Sequence, residues 1–166
     1  KTQAPLAEDF FLHALPDACV NILFNQKDTK IAGVTALQTT YEKLNLGKDF
    51  SYAGIQFFPG AWLGDQNETT DKFVGESYLG DLPLVETSNA LSKVGFDAKT
   101  PIFSELVSQL IEREFIGLNL VTKRILSNLE SIQGVADMAE VTGKSPRQLQ
   151  RILKKLQGFP LTISLR

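Results

Sequence analysis

Apolar residues follow two different periods along the chain. In the first half they come in short runs separated by turn-forming residues. The runs at 20–25, 30–37 and 51–58 read as β-strands. Asn25-Gln26-Lys27-Asp28 joins the first two, and Pro59-Gly60 closes the third. Glycine recurs at short intervals from Gly33 to Gly80, and 65–70 is a polar loop. A small barrel or sandwich of short strands suits that spacing. Alternation along 51–58 sends some aromatic side chains inward and others outward, and either face could be the inner one.

From about Pro83 the period becomes helical. Thr100-Pro101 is a helix start, with Thr as N-cap and Pro at the first helical position. Ile102, Phe103, Leu106, Val107, Leu110, Ile111 and Phe115 then form a broad apolar stripe. Gly117 interrupts it, and Leu118, Val121, Ile125, Leu126 and Leu129 continue on a second helix. These stripes are wide enough to pack within the chain and to add a homodimer contact. The expected organisation is α+β: a β-rich domain over 1–82, a helical linker or dimerisation segment over 83–130, and a helix pair over 131–166.

That helix pair has the most specific pattern in the chain. A short helix is expected over 135–141, and Gly143 permits the positive φ of a tight turn. Ser145 then acts as N-cap, Pro146 fits the first helical position, and Gln148 completes an S-x-x-Q capping box. Leu149, Ile152, Leu153 and Leu156 make the buried seam of the second helix, which Gly158 and Pro160 end. Ala139 is small enough to let the two helices approach closely, as a helix-turn-helix requires. Removing the seam leaves Arg147, Gln148, Gln150, Arg151, Lys154 and Lys155 on the outer face, with no acid between Lys144 and the last residue. Arg can pair with guanine and Gln with adenine in a fork, and Lys suits phosphate.

Charge sharpens this division. The chain has 166 residues and a net charge of only −2. Residues 121–166 nevertheless hold eight Lys or Arg against three acids, a net +5, and residues 1–120 carry −7. A polyanion partner is therefore expected for the C-terminal part alone. An ordinary solvated basic surface has the same charge, so the motif carries the distinction. Cys19 is the only cysteine, which fits a reducing cytoplasm, and its expected role is a small buried side chain rather than a redox sensor. His13 is the only histidine, which argues against a metal centre or a Ser-His-Asp machine and hence against an enzyme. No apolar run approaches the roughly 18 residues of a membrane span. The first residues, Lys1-Thr2-Gln3-Ala4-Pro5, lack the apolar core of a secretion signal.

Three segments of the motif region resemble the AraC family of bacterial transcription regulators: Val135-Ala136-Asp137-Met138-Ala139, Ser145-Pro146-Arg147-Gln148-Leu149-Gln150-Arg151 and Lys154-Lys155-Leu156-Gln157-Gly158-Phe159-Pro160. They are similar to the first of that family's two helix-turn-helix units. Leu15-Pro16-Asp17-Ala18-Cys19-Val20 and Gly54-Ile55-Gln56-Phe57-Phe58-Pro59-Gly60-Ala61 resemble the sensor domain of one subgroup. The resemblance covers most of the chain. It implies a cupin-like β-barrel sensor that often binds a small effector, dimerisation helices, and a second motif helix lying in the major groove of double-stranded DNA. Arg147, Gln150 and Arg151 then fall at base-reading positions, joined by Gln148. An effector pocket would draw on Phe24, Tyr52, Phe57, Phe58, Trp62 and Phe73, for each of which core packing is the simpler role. The family's second helix-turn-helix is absent. The sequence stops at Ile163-Ser164-Leu165-Arg166, where the connecting helix should begin, so a truncated chain or a naturally incomplete regulator is expected, binding DNA weakly and salt-sensitively. The competing reading is a stand-alone sensing or dimerisation module whose helical hairpin does not bind DNA.

Overall fold

The structure, a computed structural model, describes residues 4–17, 19–35, 40–64 and 83–157. Among the described residues the strands are β1 (Phe10–Ala14), β2 (Val20–Asn25), β3 (Ala32–Val34), β4 (Glu42–Gly47) and β5 (Tyr52–Phe57). The helices are α1 (Leu84–Ser92), α2 (Lys99–Glu112), α3 (Leu120–Leu126), α4 (Val135–Thr142) and α5 (Pro146–Gln157). The fold is mixed α+β, with the strands in two antiparallel sheets.

β2 is the centre of the larger sheet, whose order is β3-β2-β5. Its period of two puts Val20, Ile22 and Phe24 on one buried face. The turn after it is held by Asn25, whose Oδ1 accepts from Lys27 N at 2.9 Å and Asp28 N at 3.3 Å. On β5 the same alternation settles the facing: Phe57 is buried, while Tyr52, Gly54 and Gln56 are exposed.

The expected closed barrel is not formed among the described residues. The buried face of the larger sheet is covered instead by α1 and α2, whose Leu84, Leu91, Leu106 and Leu110 share one core with Val20, Ile22, Phe24 and Phe57. A sheet with helices on its apolar face has no need of a second sheet to bury it. β1 and β4 pair separately, with Phe10, Phe11 and Leu12 all exposed. Polar contacts fasten the helical cover to the sheet. Lys99 Nζ donates to Gln26 Oε1 at 2.5 Å and to Leu91 O at 2.6 Å, joining sheet, α1 and α2. Ser88 Oγ donates to Thr29 O at 2.9 Å.

Two helix boundaries differ from expectation. α2 begins at Lys99, directly after a 3₁₀ turn at Phe96–Ala98, so Thr100 does not cap it and Pro101 lies inside the first turn. Proline is tolerated there because the first four N–H groups of a helix have no intrahelical acceptor. The second helical run starts only at Leu120, where Asn119 Oδ1 accepts from Val121 N and Thr122 N, both at 3.1 Å. Most of the α2 stripe is occupied within the chain: Ile102, Phe103, Leu106, Val107 and Leu110 face the sheet core, and Ile111 is exposed.

The link between α2 and α3 is fixed to the sheet-bearing part. Leu63 N donates to Phe115 O at 2.9 Å, and Gly117 N donates to Ala61 O at 2.9 Å, with Trp62 and Ile116 as the paired residues. Trp62 lies between Phe57 and Phe115, with ring centroids 5.7 and 5.8 Å apart. Its buried indole N–H has no partner among the described residues, so packing alone holds the ring. No helix among the described residues is long and apolar enough to cross a membrane.

Candidate nucleic-acid interface

α3, α4 and α5 form a second core of their own. Ile125, Leu149 and Leu153 are buried in it, and Val121, Ile132, Met138 and Ala139 pack against them. Ala139 lies against the leucine seam of α5, where its small side chain allows the close approach the sequence implied. The helical segment after residue 83 is thus shared between two cores: α1 and α2 cover the sheet, and α3 belongs with the helix pair.

Local chemistry builds the α4–α5 turn. Asp137 Oδ2 accepts from Gln133 N at 2.8 Å and Gly134 N at 3.0 Å, which satisfies donors at the start of α4. At its end Gly143 takes φ 64°, in the left-handed region. Gly143 N donates to Glu140 O and Lys144 N to Ala139 O, both at 3.2 Å, which is a Schellman closure. The capping box then opens α5: Ser145 N donates to Gln148 Oε1 at 2.9 Å, and Gln148 N donates to Ser145 Oγ at 3.3 Å. Arg124 on α3 was not singled out by the sequence. Its Nη1 donates to Thr142 O at 3.1 Å and so braces the end of α4. A basic side chain beside the last carbonyls of a helix is favourable there, but nothing in the local sequence pairs residues 18 positions apart.

The six residues expected on the outer face are all exposed: Arg147, Gln148, Gln150, Arg151, Lys154 and Lys155. At about 100° per residue they share one arc of roughly 160°. Leu149 and Leu153 lie opposite, buried to 0% and 3% exposure. Gln148 is partly committed, because its carbonyl oxygen belongs to the cap and only its amide donors remain outward. Among the described residues no hydrogen bond or ion pair engages the side chains of Arg147, Gln150, Arg151, Lys154 or Lys155. The helix therefore offers an unneutralised cationic face with bidentate donors near its N-terminal end and ammonium groups farther along.

No family model, curated protein or solved structure matches the chain.

The aromatic residues considered for an effector pocket divide between two roles. Phe24, Phe57 and Trp62 are buried in the sheet core. Tyr52 lines an open groove of about 460 Å³ with Phe96 and Lys99. Phe58 lines another of about 380 Å³, where the sheet-bearing part meets the link and α3. Phe73 lies outside the described residues. Cys19 is half-buried and its Sγ–H donates to Asp17 O at 3.4 Å. Burial, and then the neighbouring Asp17 carboxylate, push its thiol pKa upward, the reverse of what a reactive thiolate needs. His13 is exposed, with Nδ1 2.7 Å from the Tyr41 hydroxyl. Among the described residues no three His, Cys, Asp or Glu side chains gather as a metal site.

Proposed function

We propose that the chain is a sequence-specific DNA-binding transcription regulator of the AraC type, in which α4 and α5 are the DNA-reading unit and the N-terminal part is a cupin-like sensor that responds to a small effector. One observation carries this reading: the outward arc of α5 is exposed, cationic and free of acids, while the opposite seam is buried against α3 and α4. α5 enters the major groove of double-stranded DNA. Arg147, Gln150 and Arg151 meet base edges, Gln148 adds its amide donors, and Lys154 and Lys155 meet phosphates. A protein acting on nucleic acid inside a reducing cell also suits a lone, protonated cysteine.

Salt dependence tests the reading on the chain as it stands. Fluorescence anisotropy with a labelled mixed-sequence duplex, titrated between about 50 and 200 mM salt, should show weak binding that falls steeply as salt rises. Replacing both Lys154 and Lys155 by Ala should reduce the magnitude of the log–log salt slope by about 2. Binding absent at the lower salt, with helical circular dichroism intact, would favour the alternative of a sensing or dimerisation module whose helix pair serves a protein contact.

A further inference from the structure

The apolar seam of α5 extends beyond what its own helical unit uses. Leu149 and Leu153 enter the α3–α4–α5 core, whereas Leu156 stands outside that cluster and reaches the sheet-bearing part. There it meets Gly60. A Cβ placed on Gly60 would lie 3.0 Å from Leu156 Cδ1, 3.3 Å from its Cδ2 and 3.1 Å from Thr122 Oγ1. Gly60 is buried and has φ 75°, so both the close approach and the backbone conformation suit glycine.

Gly60 is anchored on the opposite side. Phe57 before it and Trp62 after it are buried in the sheet core, and Ala61 and Leu63 are bonded to the link that leads into α3. The segment 57–63 therefore touches the helical unit twice, at Thr122 on α3 and at Leu156 on α5. Leu156 lies about 7.5 Å of helix beyond Arg151. A helix held at that end has its tilt fixed, and with it the direction in which Arg147, Gln150 and Arg151 point.

We propose that Leu156 seated on Gly60 is a latch through which the sensor sets the orientation of α5. A shift anywhere between Phe57 and Trp62 is passed to the far end of the helix through this contact. The regulatory consequence rests on α5 being the DNA-reading helix; the mechanical coupling stands without it. Backbone carbonyl contact with the link and side-chain contact with α5 act together, so the three-helix unit is held to the sensor as a rigid arm.

Hydrogen exchange by mass spectrometry on the whole chain, without DNA, tests the latch. Leu156→Ala should raise exchange roughly threefold or more in 150–157 and also in 58–63, although the substitution lies in α5 alone. Loosening confined to 150–157 would overturn the proposal. Gly60→Ala should loosen the same two segments, and a double-variant cycle separates contact from backbone strain. In the Leu156→Ala background the added methyl loses its leucine neighbour and keeps only Thr122 Oγ1, so its effect should shrink. Equal effects in both backgrounds would also overturn the latch. Should the alanine variant lose protection throughout α3 and α4, Leu156→Val shortens the side chain more gently and is read by the same criteria. A failed DNA titration leaves these results untouched, and uncoupled segments leave the DNA titration untouched.

Discussion

Glu114 and Gly143 occupy the same region of backbone space at the ends of two different helices, with φ 61° and 64°. Glycine is the ordinary residue for a left-handed helix end, because a Cβ there meets the adjacent carbonyl at a cost of about 1 kcal/mol or more. Glu114 carries that strain, closing the end of α2 with its N–H bonded to Ile111 O at 3.0 Å. Glu114→Gly should therefore raise stability by about 0.5–1 kcal/mol, seen as a higher urea midpoint with an unchanged slope. Gly143→Ala should do the opposite, by about 1–2 kcal/mol. Apart from its chain neighbours, no described atom lies within 4 Å of a Cβ at Gly143, so the loss would come from the local backbone conformation rather than from a clash with another element. Gly143→Asn should recover much of it, since Asn tolerates this conformation. Cys19 gives a residue-scale prediction in pH. Its raised thiol pKa keeps it protonated through neutrality, so alkylation near pH 7–8 should be slower than in the unfolded chain. The rate should go on rising with pH beyond the range where an ordinary thiol levels off.

The beginning of α5 depends on two short-range bonds, and Ser145→Ala removes one of them. It should lower stability by about 1 kcal/mol, measured by thermal or urea unfolding. That locality is why the helix pair is legible in the sequence: the box lies within four residues, the turn needs one left-handed position, and the seam repeats on one face. β2 is legible for the same reason, since Val20, Ile22 and Phe24 alternate within one short run. β1 and β4 are not, because Phe10-Phe11-Leu12 has no alternation and its partners are some 30 residues away. The start of α2 is not legible, because Thr100-Pro101 looks like a cap while the preceding 3₁₀ turn and the Lys99 bond to Gln26 carry the helix two residues earlier. Periodicity also identifies an apolar face without naming what covers it. The stripe on α2 meets the sheet rather than a barrel interior, and Leu156 in the α5 stripe meets Gly60 rather than α4.

The two cores are unequal, and that inequality shapes how the whole molecule should come apart. Among the described residues the sheet core holds eleven buried hydrophobic residues, and the α3–α4–α5 core holds three. A unit with so few buried side chains has little stability of its own, because the apolar surface removed from water must offset the ordering of its backbone. The small unit therefore leans on the larger through the bonded link at Ala61 and Leu63 and through Leu156. The larger core, closed by α1 and α2, has no comparable need of the smaller. Trp62, the only tryptophan in the chain, sits in the larger core and reports on it separately from helical circular dichroism. Leu106→Ala, which opens the larger core at a cost of about 2–5 kcal/mol, should shift the fluorescence and helical transitions together. Leu149→Ala should split them: part of the helical signal is lost at lower urea, and the Trp62 transition moves by less than about 0.5 kcal/mol. Coincident transitions in both variants would mean that the link and the Leu156 contact bind the two cores into one cooperative unit. In that case any ligand bound by α5, DNA under the proposed reading, would stabilise the sheet core as strongly as its own helix pair.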